Sequence, residues 1–326
     1  MNFYASPGYL ESVAEVYYKN RLTTIEDVRV GNQILRLLVV DKKYPVTKSM
    51  FLDYHLPLHD SEITSVVRKA NYATSVALSA KPLCELQELQ PKDGDVAPYV
   101  DWSLFPTYDD YKAFILGRNR GLVRERERRG RRLAEVFGKP TFTMHDDQED
   151  VFPLAQEWKS GQLLRSGSVD WITDPQVIEL LNVLRRKGLL VCSTLRVSER
   201  LAAVWIGFIY DNCWSGWIFT HNPQLSKYSA GHHLVNAMLE ESYKLKHREF
   251  DFSCGDEDYK MIYATHARLL GEAGRMPLSQ RLLIRLKQGA NNYMPHLIQR
   301  ARDLRKEGNS RAGVGHLRPV KLGHQG

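Results

Sequence analysis

Cysteine is scarce in this chain. Four residues, Cys84, Cys192, Cys213 and Cys254, are scattered over 326 positions, with no Cys-x-x-Cys and no Cys/His pair at metal-ligand spacing. That excludes a disulfide framework or a zinc site and fits reduced thiols in a cytoplasm. Long apolar runs are missing as well. The longest, Leu201 to Tyr210, has about half of the ~20 residues that a bilayer span needs, and it reads as a buried strand. The opening Met1-Asn-Phe-Tyr-Ala-Ser-Pro has neither a basic n-region nor an apolar h-region, so no signal peptide is expected. Gly-x-Ser-x-Gly, His-Glu-x-x-His and Gly-x-x-x-x-Gly-Lys-Ser/Thr are all absent, which excludes elbow-type serine hydrolases, zincins and P-loop NTPases. There is no internal repeat, and no low-complexity stretch outside the tail.

What is present is an ordinary globular composition, long enough for two modest domains or one large one. Lys and Arg outnumber Asp and Glu by 45 to 38, so anionic partners are favoured: a phosphate-rich cofactor, a nucleic acid or an anionic membrane surface. Along the first hundred residues the patterns predict a strand over Val28–Asp41, a helix over Ser61–Leu78 and a polar connection over Gln90–Pro98. A helix follows over Tyr108–Phe137, with a strongly basic centre at Arg118–Arg132. Its Glu125 and Glu127 allow a solvated, salt-bridged face; the alternative is a surface for tRNA, other RNA or anionic lipid. A strand over Lys139–Met144 and amphipathic helices over Glu149–Lys159 and Pro175–Lys187 come next. The second helix is punctuated by Asp174-Pro175 at its start and Gly188 just past its end.

The apolar runs Leu189–Val197, Ala202–Tyr210 and Trp214–Thr220 are separated by Ser198-Glu-Arg and Asp211-Asn-Cys and read as an antiparallel meander. A polar loop, His221–Tyr228, leads to a helix over Leu234–Lys246, a strand over Arg248–Phe252 and a short helix from about Tyr259. A basic helix over Leu278–Lys306 and a disordered tail, Gly308–Gly326, close the chain.

Two segments carry candidate chemistry. In Tyr228-Ser-Ala-Gly-His-His-Leu, Ser229 is a natural N-cap, and Gly231 removes a side chain where a ligand would come close. The unpaired first-turn amides, including those of His232 and His233, suit a pyrophosphate, with Lys227 just upstream as a helping cation. The histidines are either structural or bases kept neutral by the helix terminus. In Phe250-Asp-Phe-Ser-Cys-Gly-Asp-Glu-Asp-Tyr-Lys, Asp251 faces away from Phe250 and Phe252. It could orient an incoming amine or accept its proton; Tyr259 could protonate a leaving thiolate; Lys260 could pair with Asp251 or a phosphate. The competing reading is a buried Asp that fixes the strand-to-helix turn.

The combination of Ser229-Ala230-Gly231 before a helix, then Phe250-Asp251-Phe252, Gly255 and Tyr259-Lys260, resembles the FemAB-like and CelD-like branch of the GNAT superfamily. The resemblance covers Lys139–Gln288, and Phe3-Tyr-Ala-Ser-Pro and the Arg-rich helix before Gly138 extend it upstream. It implies an α/β (α+β) fold with a mixed central sheet flanked by helices, as two tandem GNAT-like units. These would be a degenerate unit over residues 1–138 and an acyl-CoA-binding domain over 139–288, followed by the basic helix and tail over 289–326. The implied activity is N-acyl transfer from acyl-CoA, without a metal, to an amine of a sugar, amino acid or lipid in envelope or polysaccharide assembly. Its setting would be the cytoplasm or the inner membrane face. FemAB-type relatives use aminoacyl-tRNA instead, and a catalytically inactive scaffold is a third reading. The chain departs from the family turn at Ala230, where the branch has Pro, and at His233, where the superfamily has a small residue.

Overall fold

The structure is a computed structural model that describes residues 3–30, 33–42, 53–54, 74–83, 96–255 and 257–273. The expected helix over Leu278–Lys306 and the Gly308–Gly326 tail lie outside the described residues, as do residues 61–73 of the helix expected over Ser61–Leu78.

Helix α1 (Pro7–Tyr17) opens on a Ser6 side-chain cap and Pro7 at the first helical position, as cap chemistry favours. Strands β1 (Thr23–Val30) and β2 (Gln33–Val40) pair antiparallel as a separate two-stranded sheet. The single strand expected over Val28–Asp41 is therefore two, because an alternating pattern does not reveal where a chain reverses. The remaining strands form one nine-stranded sheet. They are β3 (Asp53–Tyr54), β4 (Thr74–Pro82), β5 (Val96–Asp101), β6 (Thr141–Thr143), β7 (Val191–Val197), β8 (Arg200–Tyr210), β9 (Cys213–His221), β10 (Glu249–Asp251) and β11 (His266–Ala273). Their order is β3-β4-β11-β5-β10-β9-β8-β7-β6. Two further expectations are corrected here. Residues 74–78 are strand rather than helix, and Val96–Pro98 begins a buried strand rather than ending a polar loop. Strand β11 carries no strong alternation, and only its pairing with β4 and β5 reveals it.

The meander β7–β8–β9 turns at Ser198-Glu199 and at Asp211-Asn212, all four with positive φ, the backbone twist that two-residue hairpin turns require. Strand β8 is buried on both faces, which is why its sequence is continuously apolar. Val204, Ile206 and Phe208 join α1, α3 (Val151–Ser166) and α4 (Pro175–Arg186) in one core. Ala203 and Trp205 join α2 (Tyr108–Phe137), α5 (Ala230–Lys244) and α6 (Asp258–Tyr263) in the other. Each such large side chain withdrawn from water contributes about 1.5–3 kcal/mol. The N-terminal segment seals the first core: Phe3 stacks on Phe208 at 3.9 Å, and the Trp217 indole N–H donates to the Tyr4 hydroxyl at 2.6 Å.

Helix α2 occupies the predicted span. It is held at its start by a capping box between Thr107 and Asp110 and is kinked at Asn119. At α4 the Asp174 carboxylate accepts from the Gln176 N–H at 2.8 Å ahead of Pro175, as its sequence punctuation suggested.

Candidate active site

A gap in the sheet creates the site. Strand β10 is only three residues long and runs parallel to β9 through Glu249↔Cys213, Phe250↔Trp214 and Asp251↔Ser215. Strand β9 continues to His221, and among the described residues no strand lines that edge beyond Ser215. Its ladder with β8 also slips between Ile206↔Ile218 and Gly207↔Gly216, leaving Trp217 as the extra residue of a bulge. Strands β9 and β10 part past Ser215, and a cleft of about 420 Å³ opens at the C-terminal end of β9.

The start of α5 faces this cleft. The chain arrives through a 3₁₀ turn, Pro223–Tyr228, and enters the helix with Ser229 in the left-handed region at φ 58 and ψ 35. Ser229 stands at the cap position but makes no side-chain cap bond, contrary to the sequence expectation, because the 3₁₀ exit imposes another backbone geometry. Its carbonyl accepts from the His232 and His233 amides, at 3.0 and 3.3 Å. Those two N–H groups are thus occupied, and the first-turn residue left to offer its amide at the cleft is Gly231. A Cβ on Gly231 would sit 2.8 Å from the Phe219 ring, so the glycine also lets α5 close onto β9.

The other walls are mixed in charge. Leu122, Glu125, Arg126 and Arg129 of α2 line one side, a stripe spaced as one helix face. Arg129 is tied to Glu125 at 2.9 Å, whereas Arg126 has a buried Nη1 with no hydrogen-bond partner. Glu257 and Tyr259 close the cleft at α6, the Tyr259 ring lying 4.8 Å from that of Phe219. Burial, with the Glu257 charge adding to it, holds the Tyr259 phenol well above its usual pKa, so it stays protonated. His232 also lines the cleft. Burial first, then the Arg126 charge, pull it down to about 3, so its ring is neutral at pH 7. From the far side of the sheet α3 contributes Lys159 and Gln162.

Residues 122–261 match the family described as the acetyltransferase (GNAT) domain. Over that span the chain is similar to a GNAT acetyltransferase domain. Every residue lining the cleft, from Leu122 to Tyr259, falls within the matched span of this domain. Among solved structures, FemX shares the fold at 10% identity and TM-score 0.50, over 87% of this chain and 94% of that one. A conserved protein from Bacteroides thetaiotaomicron aligns at 10% identity and TM-score 0.40, over 82% and 90%. L-PGS from Bacillus licheniformis aligns at 10% and 0.39, over 87% and 96%. A comparison with curated proteins gives no match.

The fold brings Ser229, Gly231, His232 and Tyr259 together around the cleft, while the other predicted site residues lie elsewhere. Asp251 is fully buried. It accepts from the Ser253 N–H at 2.7 Å and stands 3.4 Å from Arg268, which also pairs with Glu249. Burial works against that guanidinium's charge, but Asp251 and Glu249 outweigh it and raise the Arg268 pKa above its ordinary value. Lys260 is buried too, bound to Glu257 at 2.7 Å and to the Cys254 carbonyl. Lys227 is exposed over the Tyr228 ring at 5.0 Å. The His233 ring packs on α2 where a Gly130 side chain would be, with its Nε2 buried and unpartnered.

The Arg118–Arg132 run divides: Arg126 and Arg129 face the cleft, Arg118 donates to the Ala264 carbonyl at 2.8 Å, and Arg128 pairs with Glu125 in an exposed position. Sequence reasoning passed over Glu257, although it stands in the segment singled out. Lys159 gave no signal, because its helix packs on the opposite face of the sheet. No group of residues suited to a metal ion, and no helix long and apolar enough to cross a membrane, is found among the described residues.

Proposed function

We propose that the chain transfers an acyl group from a phosphate-bearing thioester, acyl-CoA, to an amine of a sugar, amino acid or lipid. The observation that carries this reading is the cleft itself: the Gly231 amide at the start of α5 and the Arg126 guanidinium, whose Nη1 has no hydrogen-bond partner, converge where β9 and β10 part. A helix N-terminus backed by Arg is a natural seat for a phosphate. The pantetheine would then lie along the open edge of β9, whose N–H groups past Ser215 have no β10 partner and can stabilise the oxyanion.

In the reaction the neutral amine attacks the thioester carbonyl, a C–N bond forms and the C–S bond breaks. The Glu257 carboxylate accepts the amine proton, and the Tyr259 phenol protonates the departing thiolate. Asp251, buried against Ser253 and Arg268, acts by fixing the turn that delivers Glu257 and Tyr259. A second donor, aminoacyl-tRNA, is favoured by the fold shared with FemX and by the phosphate affinity of the same wall. An amine acceptor for envelope or polysaccharide assembly, met at the cytoplasmic membrane face, fits either donor.

Thermal unfolding with coenzyme A, acetyl-CoA, longer acyl-CoAs and tRNA tests the reading. Saturation at a hundredfold over Kd adds about 2.7 kcal/mol of stability. Gly231→Val, which drives Phe219 toward the cleft, should abolish the shift while the unliganded protein remains folded. If neither coenzyme A nor tRNA stabilises the wild-type chain, the cleft is no donor site.

A further inference from the structure

Lys159 is the cation that the donor chemistry leaves unused. It sits on α3, which packs in the core on one face of the sheet, whereas Arg126, Arg129 and the start of α5 lie on the other. Its side chain reaches the cleft through the gap between β9 and β10, and its Nζ stands 3.5 Å from the Phe219 carbonyl. That is the outer limit of a hydrogen bond and meets only one of the three donors of an ammonium. Among the described residues Lys159 has no ion pair within 4.0 Å, in contrast to Lys260 and Arg129, which are both paired. Burial lowers its pKa, with the Glu257 charge opposing that shift. One turn further along α3, on the same side, Gln162 presents an amide to the cleft.

A partly buried ammonium with one long contact is costly unless an anion completes it. The donor's phosphates are drawn to the opposite wall, where Arg126 and the Gly231 amide converge. The sheet gap separates the two cationic groups, so each serves a different end of the reaction. We infer that Lys159, with Gln162, binds an anionic group of the acceptor, making the acceptor an amine that also bears a carboxylate or a phosphate. This rests on the proposed transfer reaction and narrows its substrate class. An acceptor held by its anion on α3 presents its amine to the gap beside Glu257 and Tyr259. A plain alkylamine has nothing to offer Lys159 and is refused.

The test uses the full chain saturated with coenzyme A and titrated calorimetrically with amine pairs that differ only in the anion. These are ethanolamine against O-phosphoethanolamine, and alaninamide against alanine. The anionic member should bind at least about tenfold more tightly, the usual weight of a charge-assisted hydrogen bond. Which pair shows the larger ratio distinguishes phosphate from carboxylate. Lys159→Met, close in length, should erase the preference while coenzyme A affinity stays within about twofold, and Lys159→Gln should do the same if Met perturbs the packing. A wild-type chain indifferent to the anion overturns the inference, as does a preference that survives both substitutions. A tenfold loss of coenzyme A affinity in both variants also overturns it, because Lys159 then belongs to the donor. Failure of the wild type to bind coenzyme A at all falls instead on the transfer reading.

Discussion

Gly130 lies within α2, buried against α5, where the sequence offers no reason for a residue that costs a helix about 1 kcal/mol relative to alanine. The reason is His233. A Cβ on Gly130 would stand 1.9 Å from both the Cε1 and the Nε2 of that ring, far inside van der Waals contact. The ring is half-buried, with its Nε2 buried and unpartnered, so it cannot yield without repacking the start of α5. Gly130→Ala thus combines a helix gain of about 1 kcal/mol with an overpacking loss of about 1–3 kcal/mol. The expected outcome is a net destabilisation of about 1 kcal/mol. In a His233→Ala background the obstruction is gone, and the same substitution should stabilise by about 1 kcal/mol, a coupling of roughly 2 kcal/mol between the two sites. Urea unfolding of the four proteins, followed by tryptophan fluorescence, measures the cycle. Gly130 also sits one turn from Arg126, so Gly130→Ala alone should weaken coenzyme A binding and the double variant should recover part of it. If Gly130→Ala stabilises the wild type as much as it stabilises His233→Ala, the helix contact is not what excludes a side chain at Gly130.

Tyr259→Phe keeps the ring contacts with Phe219 and Phe252 but removes the proton, so kcat should fall at least about tenfold with KM little changed; full activity in single-turnover assays would leave thiolate protonation to water. Asp251→Asn should cost about 1–3 kcal/mol of stability, because Arg268 keeps only Glu249 as a full charge partner, while the remaining folded protein retains its pH–rate profile. A stable Asp251→Asn protein whose rate is lost would return Asp251 to the chemistry.

The local elements were legible because their causes are local. The continuous apolar run of β8, the helical pattern of α2, the Asp174-Pro175 start of α4 and the turn pairs of the meander each carry their physics within a few residues. So did the motif around Gly231 and Tyr259, both of which the fold brings to one cleft. Strand β11 and the reversal between β1 and β2 were not legible, since a strand with weak alternation is defined by its neighbours. The site residues divide along the same line. Asp251 was visible as a polar residue between two phenylalanines, but only the pairing of β10 with β5 and the approach of Arg268 from β11 make it a buried partner. Arg126 and Arg129 stood out as charge, yet their direction depends on how α2 packs against α5. Lys159 was invisible for the clearest reason: it reaches the cleft from the opposite layer, through a gap that exists because β10 stops three residues after it begins. No spacing along a chain encodes where two strands part.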